Sequence, residues 1–572
     1  MNPAIERALQ VCANEPIQHS GAIQPHGCLI SCRLPDWTIH HVSANIKTLT
    51  SAPPEEMLRR SLREFIAEDV IHEIAEIIGF GEPGAPPQRA AVANIGPMAT
   101  LCDISVHVAD GLVHIEIEPQ PRGSKERSPT VVAQTMIARV AGSGDLDDFH
   151  QRVAEQVRLL TGYDRVMVYR FLHDDCGEVI AESRDSALPS YLGLRYPASD
   201  IPPQARRLYL RNRLREIPDA RYVPVPILPD RNDRGEPLDL GQHVLRSVSP
   251  VHLEYLANMG VVASMSISII AGGRLWGLIA CHHREVRQLS PGTRASADMF
   301  GMFVSMRVAT REQQDAVARD EAARAIRDAL ALRLENAGDP RLALASELDL
   351  LRQALRCDGV ALLQSGHWHE SGRTPPRERG QDLLAWLARS DPSAGVVMTD
   401  RALDWAATLE DADGIAGVLA LRLDAVQNEW LLFFRREQIA DVRWAGRPDE
   451  AFQVSDDGRR IGPRTSFASW HETVRGTGAP WDDGDRRIAG RLLLVLREHC
   501  RRRALQSEVI DLRARRTQLD VRDQRARLLQ LSELLDGLAH VGAGEAAQIS
   551  DRISKLEEEL QSLIASVSIA RD

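Results

Sequence analysis

No stretch of the chain approaches the ~20 consecutive apolar residues of a membrane-spanning helix, and no two cysteines stand in a CxxC pair. The start, Met-Asn-Pro-Ala-Ile-Glu, has neither the basic nor the apolar region of a signal peptide. A cytoplasmic protein with no membrane partner is therefore expected. The eight cysteines (Cys12, Cys28, Cys32, Cys102, Cys176, Cys281, Cys357 and Cys500) are spread along the length, which argues for free thiols over a disulfide framework. Positive charge is in deficit: 69 basic residues against 80 acidic give −11, so general binding of nucleic acid is not expected. With 572 residues, 44% of them hydrophobic and 26% charged, the chain is long enough for three or four domains, each burying its own core.

What is present centres on Pro197-Ala-Ser-Asp200-Ile-Pro-Pro-Gln-Ala-Arg-Arg-Leu-Tyr209-Leu-Arg-Asn-Arg-Leu-Arg215. Ser199 or Asp200 can cap a helix whose first turn tolerates proline. Arg206, Arg207, Arg211, Arg213 and Arg215 follow within ten residues. They suit either a ligand carrying carboxylates or phosphates or a solvated basic helix. Upstream, Cys12 lies in a polar, proline-containing arm where a thiol is reachable. A zinc set of Cys12, His19, His26, Cys28 and Cys32 lacks the close paired ligands of structural sites, so no metal is expected.

Downstream, Ser249-Pro250 opens a helix that Gly260 closes, with His252 in its first turn. Val261 to Ile270 alternates as a strand with Ser264, Ser266 and Ser268 on one face. A second strand returns through Trp276 to His282 and His283, which point to opposite faces. A two-residue Gly272-Gly273 turn would separate His282 from the serines by parity, whereas a three-residue loop would unite them. The longer loop is expected. A helix over about 290 to 335 is too long for an ordinary globular element and reads as a spine or dimer seam. Strands at 359–363, 417–423 and 429–434 form a further mixed unit. Its excursion through Trp444 and Trp470 reads as a hairpin or a lid. In the tail, Leu505, Leu512 and Leu519 recur every seven residues, and Ile553, Leu556, Leu560, Leu563 and Val567 step by three and four. These are coiled-coil signals, with Gly542 and Gly544 breaking the helix between them.

The segment "RYPASDIPPQARRLYLRNRLR", the arm with Cys12 and "GAIQPHG", the Arg246–Gly260 segment and "PRTSFASW" together resemble bacteriophytochromes. The resemblance implies an α+β multidomain fold of PAS-like, GAF and GAF-like PHY domains with central antiparallel sheets, joined by long helices and ending in a helical coiled coil. The expected division is 1–122 (arm and PAS), 123–310 (GAF), 311–500 (PHY, with a tongue near 442–480) and 501–572 (helical output linker). The loop over 218–241 would encircle the arm.

The same resemblance implies a red/far-red photoreceptor carrying biliverdin IXα, thioether-linked to Cys12. Plant-type relatives carry the linking cysteine where this chain has Val251. By this likeness Arg246, Arg215 and Tyr209 hold one propionate, and Ser264, Ser266 and His252 the other. The backbone of Asp200 and the ring of His252 face the pyrrole N–H groups, and His282 reaches the terminal ring's carbonyl. Tyr169, Tyr196 and Tyr255 surround the rotating ring, and Ile201 and Ser249 complete the set. In the tongue, Arg464 pairs with Asp200 in one light state, with Ser466 and Trp470 beside it. A homodimer through the long helices, acting on a downstream signalling protein or kinase, is expected, with no catalytic output module in this chain. The competing class is a non-photochemical GAF/PAS sensor of a small molecule or cyclic nucleotide, with the arginine helix gripping phosphate. An enzyme using His252 and His282 as acid and base lacks a positioned nucleophile or metal cluster.

Overall fold

The computed structural model describes residues 15–80, 84–120, 127–337, 340–390, 395–424, 426–448, 452–454 and 461–538, with scattered positions between 551 and 562. Its contacts divide it into two compact units, one of residues 1–319 and 439–475, the other of 320–438 and 476–572.

Among its described residues the first unit carries a short antiparallel ladder of Phe452–Val454 with Ile461–Pro463 and two large sheets. In one, the order is Ala22–Ile23, Val225–Leu228, Thr38–Ser43, Cys28–Arg33, Leu112–Pro119, Thr100–Ala109, Gln88–Ile95. One side of this sheet packs on Met57, Leu62, Val70, Ile71 and Ile74. The helices between 54 and 80 are two pieces, Pro54–Met57 and Glu68–Phe80. A Ser61/Glu64 capping box lies between them and starts a separate turn.

The strand Val225–Leu228 comes from the long loop, far along the chain from its neighbours in the sheet. The arm is flanked by that loop on two sides: Ile227 N donates to Gly21 O at 2.9 Å, while Leu240 N donates to Gln18 O at 2.8 Å and Ser247 N to Ala22 O at 2.9 Å. Buried charge closes the join. Arg294 donates to Glu118 at 2.6 Å and to Glu216 at 3.0 Å.

The second sheet runs Leu214–Ile217, Ala263–Ala271, Arg274–His283, Arg165–Phe171, Gly177–Arg184, Leu194–Tyr196, Ala440–Ala445, Ser469–Val474. The helix Leu146–Thr161 and the first part of the helix Pro291–Glu335 cover one face through Phe149, Val153, Val157, Ala297, Phe300 and Val304. The other face is left to the candidate site. The excursion is a hairpin, in which Ala440–Ala445 pairs with Ser469–Val474 and Trp444 stands opposite Trp470. Arg443 and Trp444 also pair in parallel with Leu194 and Arg195, extending the sheet.

In the second unit the sheet order is His367–Gly372, Gly359–Gln364, Glu429–Arg436, Ile415–Asp424, Val396–Thr399. Alternation places Leu419, Leu421, Leu431 and Phe433 in one core and Val418, Ala420, Leu432 and Phe434 in another. Both faces are buried. The helix Asp483–Leu538 sends Arg503 to Glu429 with two contacts of 2.6 and 2.7 Å. Leu505, Leu512 and Leu519 lie exposed on it. Gly542, Gly544 and the repeat from Ile553 to Val567 fall outside the described residues. No helix among the described residues is long and apolar enough to cross a membrane.

Candidate functional site

The exposed side of the second sheet forms the floor of a cleft enclosing about 1680 Å³ of empty space, part of it open to solvent. Ser264 pairs directly with His282, and Ser266 with Ala280, so the serines and His282 share the floor. The expected route to this arrangement needs correction. Ala271 pairs with Arg274, which makes the turn the two-residue Gly272-Gly273 type, with φ of +56° and +74°. Parity is restored inside the strand, where the register shifts between Ile269 and Ile270 and leaves Trp276 bulged. His283 points away, to Asp164 at 3.1 Å.

Two helices make the walls, Pro203–Arg211 and Pro250–Asn258. The second begins after Ser249, with His252 in its first turn as expected. The first is capped by neither Ser199 nor Asp200: its N-cap is Pro202, with no side-chain cap. Proline costs nothing at a helix start, where its missing N–H would lack a partner. Ala198–Asp200 forms a separate 3-10 turn, which frees the Asp200 carboxylate.

The arginines disperse, because the helix ends at Arg211 and the chain turns into a strand. Arg206 binds Asp175 at 2.5 Å and the carbonyl of Ile201 at 2.8 Å. Arg211 reaches Asp239 at 3.4 Å, Arg213 reaches Asp298 at 2.9 Å, and Arg207 is exposed. Of the five, only Arg215 lines the cleft. Its guanidinium donates to the carbonyls of Val244 at 2.8 Å and of Arg246. Arg206, Arg211 and Arg213 are thus taken up in separate ion pairs.

Asp200 is the hub of the cleft's far end. Its Oδ2 accepts from the Tyr255 hydroxyl at 2.8 Å and from the Arg464 guanidinium. Arg464 also donates to Ala445 O, and its own carbonyl accepts from Asn258 Nδ2 at 3.1 Å. Phe467 stands edge-on to Tyr255, with centroids 5.1 Å apart, and Tyr169 meets Tyr196 at 5.8 Å. Burial pushes the Asp200 carboxyl above its usual value, against the pull of Arg464 and Tyr255. For Arg464, burial works downward and the Asp200 charge upward, with a net shift upward. The guanidinium therefore stays charged.

Burial, then the charges of Arg215 and Arg246, draws His252 down to about 4. Burial, then Arg165 and His252, draws His282 down to about 3. Both rings are neutral at physiological pH. Burial and the neighbouring Arg215 lower Arg246 to about 9, and its Nη1 donates to Ile17 O at 3.0 Å. Among the described cleft residues, Tyr196 Oη, Arg246 Nε and His282 Nδ1 are buried polar atoms with no hydrogen-bond partner. An unpartnered buried donor is costly, and three in one largely apolar cleft suit an organic ligand with a few polar groups.

Tyr169, Tyr196, Asp200, Ile201, Tyr209, Arg215, Arg246, Ser249, His252, Tyr255, Ser264, Ser266 and His282 all line this cleft. Cys12 lies outside the described residues. Ser466 is exposed, and Trp470 sits half-buried across from Trp444; neither lines the cleft. The sequence reading missed Glu15, which accepts from Ser249 Oγ at 3.1 Å, and Phe467. Phe467 stands inside the quoted PRTSFASW segment and Glu15 three positions after Cys12, so proximity to a predicted residue is the available signal. The zinc set does not assemble among its described members. Cys28 and Cys32 lie four positions apart on one strand, about 13 Å along it. His26 faces Glu118 at 3.7 Å, and His19 turns to Leu238 O.

Comparison with known proteins places these elements in a family. Residues 12–120 match the PAS fold, 145–308 the GAF domain and 323–504 the phytochrome region. That succession defines a phytochrome-type architecture. The chain is 39% identical over 497 residues to a bacteriophytochrome of Pseudomonas aeruginosa, covering 86% of this chain and 66% of that protein. It is 32% identical to a bacteriophytochrome of Xanthomonas campestris, with 94% and 83% covered. Among solved structures, the Stigmatella aurantiaca phytochrome photosensory core module superposes with a TM-score of 0.72 at 34% identity, covering 86% of this chain and 98% of that one. The chain belongs to the bacteriophytochrome family. It spans about two thirds of the length of the first curated relatives it matches.

Proposed function

We propose that this chain is a cytoplasmic red/far-red photoreceptor whose cleft holds biliverdin IXα, tethered through Cys12. The observation that carries the reading is the set of orphaned buried atoms, Tyr196 Oη, Arg246 Nε and His282 Nδ1, around one cleft of the GAF sheet. When bound, the bilin supplies light absorption and a double bond that isomerises. Everything else falls to the chain's own groups. Arg246 offers a charged donor to one propionate, beside Tyr209 and Arg215, and Ser264, Ser266 and His252 offer neutral donors to the other. His282, neutral by burial, presents a ring nitrogen to a carbonyl.

Signal readout rests on Asp200. Its carboxylate shares one oxygen between Tyr255 and Arg464, so a change in what Tyr255 must satisfy alters the hold on Arg464 and the tongue. Two alternative partner sets for one buried carboxylate make a two-state element. The exposed Leu505, Leu512 and Leu519 row suits pairing with a second copy of the chain, and a downstream signalling protein or kinase would read the result. The phosphate-gripping alternative loses its physical basis with the dispersal of the arginines.

The test is to mix the purified chain with biliverdin and record absorption spectra before and after red illumination. A red-absorbing adduct that converts under light is expected. A colourless mixture, or a colour that illumination never alters, overturns the assignment.

A further inference from the structure

A second cluster of chemistry lies away from the cleft, where the long loop meets the first sheet. His107 and His114 stand directly opposite each other on the strands Thr100–Ala109 and Leu112–Pro119. Their rings are stacked, with centroids 4.8 Å apart. His243, from the loop, sets its ring edge-on to both, at 4.5 and 4.6 Å. One nitrogen from each lies within 4.8 Å of the other two. The residues expose 5%, 0% and 0% of their surface.

A neutral imidazole has one N–H to donate and one lone pair to offer. Both nitrogens of His107 are buried without a hydrogen-bond partner, and the His243 ring has at most the Leu240 carbonyl beside it. His114 is held at Nδ1 by Ser31 Oγ at 2.9 Å and more loosely at Nε2 by Ala109 O at 3.3 Å. Such buried orphans are uncommon and call for a missing partner. Protonation does not provide one, because three adjacent imidazolium charges would repel one another, and burial already lowers His107 to about 3 and His114 to about 4.

We propose that His107, His114 and His243 bind one divalent transition ion of the zinc class, which fastens the loop around His243 to the first sheet. Three neutral imidazoles with no carboxylate among them select zinc, copper or nickel over calcium and magnesium. Bonds of about 2.0–2.1 Å from zinc to each nitrogen in tetrahedral geometry would draw the three nitrogens closer by up to about 1.5 Å, a shift to be met by ring rotation. The looser contact of His114 is the one given up, while a firm hydroxyl partner on the other ring nitrogen is what metal-bound histidines ordinarily keep.

The site would act on the segment it holds. Gln242, beside His243, donates to Ala85 O at 3.3 Å, and the N–H groups of Val244 and Leu245 donate to the buried Glu116 at 3.1 and 2.6 Å. The next residue, Arg246, lines the cleft and bridges Ile23 of the arm. A metal at His243 therefore anchors the stretch that aims Arg246.

The test uses the full chain purified without pigment, because a bilin can itself chelate zinc. After EDTA treatment the protein is titrated with zinc chloride against a chromogenic chelator, with calcium chloride as the control ion. One equivalent of zinc is expected to bind, with at least a hundredfold weaker binding in His107→Phe and His243→Phe. Zinc should also raise the thermal midpoint of the unaltered chain and of neither variant, because an ion that binds only the folded state stabilises it. No zinc uptake by the unaltered chain overturns the proposal. So does uptake within threefold of it by a variant whose circular dichroism shows it folded. The measurement on the unaltered chain decides the matter even if both variants fail to fold.

Discussion

Asp200 and Arg464, 264 positions apart in the chain, form an ion pair whose side chains are 5% and 2% exposed. Water can compensate neither charge there, so each depends on the other, and Tyr255 supplies the one further hydrogen bond on the shared carboxylate oxygen. The pair joins the turn before the arginine-rich helix to the stretch between Ile461–Pro463 and Ser469–Val474 of the hairpin.

Removing one partner of a buried pair is costlier than the pair is stabilising, at about 3–5 kcal/mol. Arg464→Ala should therefore loosen the hairpin over 440–474, read as faster proteolysis there and a lower urea midpoint. Asp200→Asn combined with Arg464→Ala should cost clearly less than the sum of the two single changes, since neither charge is then stranded. Strict additivity would mean the pair contributes nothing.

Gly177 packs its α-carbon against the Tyr169 ring: a β-carbon there would sit 1.7 Å from the ring carbon that bears the hydroxyl. Gly177→Ala should displace Tyr169, which lines the cleft, and destabilise the chain by about 1–3 kcal/mol through overpacking. Adding Tyr169→Ala should recover part of that loss. A fully stable Gly177→Ala chain that binds biliverdin with an unaltered spectrum would show that the ring has room to move.

Cys12→Ser should leave the cleft able to take up biliverdin while abolishing the covalent link. The measurement is zinc-stained or absorbance-scanned denaturing electrophoresis, in which pigment should run with the unaltered chain and leave the variant. Pigment that stays with the variant would point to another thiol. Of the seven other cysteines, six are buried and Cys176 is half-buried. Burial, followed by the charge of Asp174, raises the Cys176 thiol to about 11, which makes it a poor nucleophile.

The cleft's membership was legible because its residues stand in short, ordered motifs with helix starts and strand alternation to orient them. Ser249-Pro250 set His252 in a first turn, and period-two alternation set Ser264 and Ser266 on one face. What was not legible depended on contacts made at a distance. The shared face of Ser264 and His282 was expected from a longer turn, yet the extra residue is Trp276, bulged within the strand. Periodicity counts residues and cannot say where along a hairpin the odd one is absorbed. The arginine cluster misled for a similar reason: its partners Asp175, Asp239 and Asp298 come from other segments. The three histidines were invisible because His243 reaches the other two only when the loop folds back on the sheet.

His150 gives a prediction that needs no pigment. It sits buried on the helix Leu146–Thr161, 5.7 Å from the Phe149 ring and 5.5 Å from that of Trp276, with neither ring nitrogen hydrogen-bonded. Burial lowers it to about 4, with Asp147 opposing and Arg170 adding. In the unfolded chain its pKa is about 6.5, so below that pH the unfolded state takes up a proton that the folded state refuses. The stability held above pH 6.5 is therefore lost as pH falls toward 4, by about 2 kcal/mol at pH 5 for an isolated site. His150→Phe fills much the same space beside Trp276 and removes the titration. Urea unfolding at pH 7 and pH 5 should show a smaller drop in stability for this variant than for the unaltered chain. An equal drop in the two would mean that His150 keeps its ordinary affinity for protons in the folded state.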